Sequence, residues 1–209
     1  MKEYFGASSQ SYTQANGNLI ILNPHIEKIL KGLASKGAKN ILDVGCGNGF
    51  FSEISRELEL NYLGVDVSTD MVSLAKKNYP NENFLVSDGQ VLSGIPDRSQ
   101  NIVLCSMLIP AIENDSIVLK ILQSLERVVT INGHIVIATA HPCFDPFMQS
   151  ILGKRSDVKI YSRNDEPTYF DEPISYDVSK KMSDSTFTFK DNHRTFSRWY
   201  GMLSSTNHK

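Results

Sequence analysis

Three glycines alternate in Gly45-Cys46-Gly47-Asn48-Gly49, directly after the run Ile41-Leu42-Asp43-Val44 and directly before Phe50. Glycine tolerates positive φ and leaves the backbone bare, so a ligand can approach it closely. A helix beginning after Gly49 would present unpaired N–H groups, which suit a carboxylate or a phosphate. Asp66 lies 21 residues beyond Gly45, at the end of the next apolar run. An acid at that place can accept both hydroxyls of a ribose. Loop and acid together point to an adenosine-containing ligand. A dinucleotide loop reads G-x-G-x-x-G, whereas this one reads G-x-G-x-G and has Phe50 where the third glycine would stand. That spacing argues against a nicotinamide-dependent oxidoreductase. A tight turn without a ligand is the other reading. The acid before the glycines and the acid at the next strand end weigh against it.

The elements that position these residues follow from periodicity. Asn23-Pro24 reads as a helix cap followed by proline at the first helical position, with Ile26, Ile29, Leu30 and Leu33 at helical spacing. Ile41–Val44 is too short for a helix and is bounded by turn residues, as a buried strand is. Helix Phe50–Leu58, strand Tyr62–Val67, a helix capped by Ser68 and running to Asn78, strand Phe84–Ser87 and strand Ile102–Leu108 follow. An amphipathic helix covers 115–129, Asn132-Gly133 turns the chain, and Ile135–Thr139 is a fifth strand. This alternation predicts an α/β fold: a doubly wound, mostly parallel sheet with helices on both faces.

ILDVGCGNGF resembles the first motif of the class I S-adenosylmethionine-dependent methyltransferases, LGVDVS the second and FLVSDG the third; the resemblance covers about residues 25–142. It implies a seven-stranded sheet, six strands parallel and one antiparallel, with S-adenosyl-L-methionine across the carboxyl ends of the first strands. By the same resemblance, Gly45, Gly47 and Gly49 approach the amino-acid part of the cofactor and Asp43 orients its amino group through water. Asp66 holds the ribose, and Val67 and Met71 lie against the adenine. Asp88 accepts from the adenine amino group with Gly89 beside it, and Cys105 and Ser106 border the methionine chain. Plainer readings stand beside these. Met71 can be a core residue, Cys105 a small buried hydrophobe and Asp88 the cap of the Gly89 turn.

Methyl transfer from a sulfonium is an in-line displacement with a neutral leaving group, so positioning does much of the work. A base is needed only where the acceptor keeps a proton. His141, just past the fifth strand in Ala140-His141-Pro142, is the first candidate, and similar His-Pro segments occur in small-molecule methyltransferases. His193, in Asn192-His193-Arg194-Thr195, is the second; it resembles a segment that ends their lid. For either, a histidine that merely holds a loop is the competing reading. The Asn/Asp-Pro-Pro-aromatic run of nucleic-acid amino-methylating enzymes is absent, and Ser106-Met107-Leu108-Ile109-Pro110 stands there instead. Cys143 lacks basic neighbours and reads as an ordinary loop cysteine.

The pattern changes after Pro142. Eleven of the 19 aromatics fall in the last 67 of 209 residues. With short alternating stretches at Val158–Tyr161, Thr168–Phe170 and Thr186–Phe189, this predicts a lid over 143–195, after a core of 1–142. A helix over His193–Leu203 and a polar tail complete the segment to 209. Tyr161, Tyr169, Phe170, Tyr176, Phe187 and Phe189 are available to wall a small, partly apolar or planar acceptor. Tyr4, Phe5 and Tyr12 can fold over the cofactor.

Net charge is −2, which excludes a strongly basic nucleic-acid wrapper. No apolar run reaches the ~18 residues of a membrane helix, and the start lacks a secretion signal. Three cysteines, Cys46, Cys105 and Cys143, in no metal-ligand spacing, fit a reduced, cytoplasmic compartment. Family members of this layout continue beyond the last helix into further strands. This chain stops at Lys209, so five core strands are expected, with the fifth exposing an edge. A shortened chain, recruitment of lid strands, or pairing into a homodimer are the open explanations. The reading is therefore an enzyme that methylates O or N of a small molecule. The alternative is a cofactor-binding but inactive relative that acts as an interaction partner.

Overall fold

The computed structural model describes residues 19–206, apart from 152, 154, 155, 163, 164, 172, 173 and 182–185. Tyr4, Phe5 and Tyr12 lie outside the described residues. The elements, in order, are α1 (Leu19–Ala34), β1 (Asn40–Val44), α2 (Phe50–Glu57), β2 (Asn61–Asp66), α3 (Thr69–Asn78), β3 (Asn83–Val86) and β4 (Gln100–Ser106). A 3-10 turn at Ile109–Ala111 precedes α4 (Asp115–Val128) and β5 (Val129–Ala138). Then come α5 (Pro146–Ile151), β6 (Val158–Tyr161), β7 (Ile174–Lys181), β8 (Thr186–His193) and α6 (Phe196–Ser204).

The chain forms two compact units. The first runs to Ser106 and resumes over Lys120–Ala138; the second holds Met107–Leu119 and the chain from Thr139. In the first, five parallel strands lie in the order β3-β2-β1-β4-β5. The order reverses beside β1, which puts the switch point, and with it the usual ligand crevice, at the carboxyl ends of β1 and β4. β1 is apolar apart from Asn40 and Asp43 and buried from Ile41 to Val44, as a strand covered on both faces must be. Leu30, Ile41, Tyr62, Phe84, Ile102 and Leu104 belong to the core cluster beneath it. β5, last in the order, is only half-buried along most of its length, and Ile131 is 84% exposed.

In the second unit β6, β7 and β8 make an antiparallel sheet. Its own small core is Phe147, Ile174, Tyr176 and Val178.

Several expected boundaries move. Asn23 does not cap a helix at Pro24, because α1 already begins at Leu19 and Pro24 lies inside it. The apolar stripe extends N-terminally to Leu22, which packs on the same core as Ile26 and Leu30, and that burial outweighs the proline signal. The Asn132-Gly133 turn becomes part of β5, where the register against β4 jumps from Gln100↔Val129 to Ile102↔His134. Thr168–Phe170 is not a strand: the Asp171 carboxylate accepts from the Thr168 backbone at 2.7 Å and hydroxyl at 2.9 Å, closing a turn. His193 ends β8 rather than opening a helix. α6 starts at Phe196 because Thr195 caps it, accepting from Arg198 N.

Candidate functional site

The glycine loop follows β1 without a break. Gly45, Gly47 and Gly49 have φ of 77°, 54° and 83°, values that L side chains disfavour. The loop is pinned to β2: Gly45 N and Cys46 N both donate to Val65 O, at 2.8 and 3.0 Å. Gly49 is the N-cap of α2. A Cβ there would lie 2.7 Å from the Phe84 ring, so the loop rests directly on β3.

Asp66 closes β2 and reaches back to this loop. Its Oδ2 accepts from Gly47 N at 3.0 Å and its Oδ1 from Ser68 N at 2.9 Å. Two backbone donors thus fix the carboxylate plane, while each oxygen keeps lone-pair capacity for a further hydroxyl. Burial raises its pKa, and the Ser68, Gly47 and Val67 backbone hydrogen bonds oppose the shift. Ser68 caps α3, its Oγ accepting from Met71 N. Val67 is half-buried and Met71 buried beside it.

Asp43 is 1% exposed, inside β1. Tyr62 on β2 donates its hydroxyl to Asp43 Oδ2 at 2.8 Å. Burial pushes the Asp43 carboxyl up to about 7; the Tyr62 hydrogen bond pulls it down and the Asp66 charge adds to the rise. Burial likewise raises the Tyr62 phenol and the Cys46 thiol.

Asp88 is exposed and caps the turn after β3. Its Oδ1 accepts from Gln90 N at 2.8 Å, with Gly89 half-buried between them. At the end of β4, Cys105 is fully buried, its thiol pushed up to about 12 by burial. Ser106 Oγ is buried without a hydrogen-bond partner, and so is Ser87 Oγ at the end of β3. Unsatisfied buried hydroxyls are uncommon and ask for a ligand group or a water. Both stand where strand carboxyl ends open. Together with the bare glycine loop and the doubly held Asp66, they fit a nucleoside carrying an amino-acid chain.

The two histidines belong to the second unit and differ sharply. His141 is exposed. Its Nδ1 accepts from Cys143 N at 3.2 Å, and its ring lies 5.1 Å from Phe144 and 5.0 Å from Phe196. With Nδ1 used as an acceptor, a neutral ring carries its proton on Nε2. His193 is 2% exposed. Its Nδ1 lies 2.6 Å from Asp145 Oδ2 and its Nε2 3.0 Å from Tyr169 O. Its neighbours anchor the loop after β4: Asn192 Nδ2 donates to Pro110 O at 2.9 Å, and Arg194 donates to Ile109 O, Ile112 O and Asp115. These bonds carry 107–119 into the second unit.

The lid aromatics separate as well. Tyr176 is core, and Tyr161 lies between Lys159 and Lys190, at 5.1 and 5.0 Å from its ring. The Tyr169 hydroxyl accepts from Phe196 N, and Phe170 is 82% exposed. Phe189 is half-buried on the lid core, and the Phe187 side chain lies outside the described residues. In the sequence Tyr62 reads only as the start of a strand and Ser87 only as the end of one, and Asp145 belongs to no motif. A hydroxyl-bearing aromatic at even spacing from Asp66 on one buried strand is the signal for Tyr62. Asp145 had only its place ahead of Pro146.

Residues 42–137 match the family model described as a methyltransferase domain. The ubiquinone biosynthesis O-methyltransferase of Cupriavidus pinatubonensis is 24% identical over 136 residues, 63% of this chain and 53% of that protein. The chain thus spans about half the length of that curated relative. The PH0226 protein of Pyrococcus horikoshii superposes with a TM-score of 0.65 at 20% identity, covering 98% of this chain and 87% of that one. CalS10, an amino pentose methyltransferase from Micromonospora echinaspora solved with S-adenosylmethionine bound, gives a TM-score of 0.62 at 14% identity, covering 97% and 88%. At these identities the structural likenesses establish the fold.

Proposed function

We propose that this chain, whose residues 42–137 match the family model of a methyltransferase domain, is a class I S-adenosylmethionine-dependent methyltransferase that transfers a methyl group to an oxygen or nitrogen of a small molecule. The observation that carries the reading is the clamp on Asp66, held by Gly47 N and Ser68 N at the carboxyl end of β2. There it can take two ribose hydroxyls. Gly45, Gly47 and Gly49 admit the amino-acid chain, with Cys105 and Ser106 along its side. Asp43 takes the amino group. Val67 and Met71 pack on the adenine, and Asp88 with Gly89 receives its amino edge. When bound, S-adenosyl-L-methionine supplies a methyl group on a positively charged sulfur, and the departing thioether needs no acid.

On the acceptor side, His141 touches the small molecule. Its Nε2–H orients a polar atom of the acceptor other than the attacking one, Phe144 and Phe196 hold the ring in place, and the proton that an O–H or N–H acceptor sheds on methylation passes to water. His193 acts at one remove: both its ring nitrogens are engaged, so it positions Asp145 and Tyr169. Relatives named for O-methylation and for an amino sugar support a small acceptor, and they favour an enzyme over a binding-only protein.

Two further readings accompany this one. The outer edge of β5, last in its sheet with Ile131 exposed, favours a homodimer, which light scattering tests against Ile131→Lys. Free cysteines at 46, 105 and 143 favour the cytoplasm; no helix among the described residues is long and apolar enough to cross a membrane. The central test is calorimetric titration with S-adenosylhomocysteine, with NADH as control. Micromolar binding of the first alone supports the reading, and absence of binding to a folded chain overturns it.

A further inference from the structure

We propose that Tyr62 is a positioning residue for the ligand's amino group: its hydroxyl holds Asp43 in one orientation, and a cation arriving at the other carboxylate oxygen drives a proton off Asp43, so that ligand binding releases a proton. The inference rests on the reading above that places the amino group at Asp43.

The geometry is specific. Asp43 and Gly64 are register partners on β1 and β2, and Tyr62 lies two residues before Gly64, on the same face of β2. A Cβ at Gly64 would sit 2.9 Å from the Tyr62 hydroxyl and 2.7 Å from the Phe84 ring. The missing side chain is what lets the phenol pass over position 64 to Asp43. The Tyr62 and Phe84 rings meet edge to face at 5.7 Å, so the phenol cannot swing away without disturbing the floor of the glycine loop. Tyr62 occupies Oδ2; among the described residues, no group donates to Oδ1.

The other titratable groups bearing on this pair are Asp66 at the end of β2, Cys46 in the loop, Cys105 on β4 and Glu82 before β3, none of them a cation. A buried carboxyl in such company holds its proton until a positive charge arrives. The phenol is a neutral donor. It steadies the ionised form without supplying charge, which leaves that task to the ligand. Buried about as deeply as any core residue, Asp43 is otherwise an unfavourable choice for the middle of a strand.

The test is the pH dependence of S-adenosylhomocysteine affinity, measured between pH 6 and 8.5 on the full chain. For a single carboxyl that must ionise near pH 7, affinity should improve about tenfold between pH 6 and 8. Calorimetry in buffers of different ionisation enthalpy should show net proton release near pH 6.5. Tyr62→Phe keeps the ring and its contact with Phe84 but removes the hydrogen bond, so the midpoint should move up by about one pH unit. Asp43→Asn should flatten the profile, which separates Asp43 from Asp66 as the titrating group. Affinity that does not vary with pH overturns the proposal. So does a Tyr62→Phe variant weakened equally at every pH, since that is what lost packing alone would produce. No binding at any pH by a folded wild-type chain would instead overturn the cofactor reading itself, and this inference with it.

Discussion

Gly47 N donates to Asp66 Oδ2 at 3.0 Å, so the middle glycine of the loop and the last acid of β2 form one unit. The loop orients the acid, and the acid keeps the loop closed against β2. Losing either partner therefore affects both halves of the site, which shapes what substitutions there should do.

Asp66→Ala removes the proposed ribose acceptor and frees Gly47 N and Ser68 N. Two hydrogen bonds to a charged acceptor contribute about 1.5–3 kcal/mol each, so S-adenosylhomocysteine affinity should fall by at least about a hundredfold. Calorimetric titration measures this, and unchanged affinity would show that the ribose does not sit at Asp66.

Asp43 makes the free protein pH-sensitive in a direction opposite to that of an ion-paired carboxylate. Its folded-state pKa of about 7 exceeds the unfolded value. The folded state therefore holds the extra proton, and stability falls as pH rises from the unfolded pKa toward 7. The loss should reach a few kcal/mol, since each tenfold change in proton affinity is worth about 1.4 kcal/mol. Denaturant titrations of the unliganded chain at pH 5 and 8 should show greater stability at pH 5, and Asp43→Asn should remove most of the difference. A chain that grows more stable over that interval would contradict the buried, proton-holding Asp43.

His193 and Asp145 are both buried and lie 2.6 Å apart. Removing one partner of a buried hydrogen bond leaves the other unsatisfied, at a cost of about 1–3 kcal/mol. His193→Ala should accordingly lower the unfolding temperature and near-ultraviolet dichroism of the second unit. Its effect on S-adenosylhomocysteine affinity should be small, since all the residues assigned to that ligand belong to the first unit. A variant as stable as wild type would leave the pair without a structural role.

His141 is exposed and gives up little packing when replaced. His141→Ala should spare S-adenosylhomocysteine affinity and stability while lowering turnover about 10- to 100-fold, the scale of one lost positioning contact. Parallel loss of affinity and turnover would make it a loop-holding residue instead. The assay needs an acceptor, which a screen of small phenols and amines with radiolabelled methyl donor can supply.

The amino-acid sequence by itself determined the strand-helix alternation, the glycine loop, Asp66 at the end of the second strand and Ser68 as a cap. These are local facts. Burial period, positive-φ demand and capping chemistry act within a few residues, so they can be read from neighbours along the chain. Tertiary structure alone decided the rest. Pro24 became helix interior because Leu22 found the core, and the Asn132-Gly133 turn was absorbed into β5 by pairing with β4. The partnership of Tyr62 with Asp43 depends on the register of β1 against β2 and on an absent side chain at Gly64. His193 reaches Asp145 across 48 residues, and Arg194 reaches Ile109 across 85. Contacts at such separations depend on how elements stack, and no local pattern encodes that stacking. The residues proposed to meet a ligand were therefore legible in the sequence, and the residues that hold them in place became visible only in the fold.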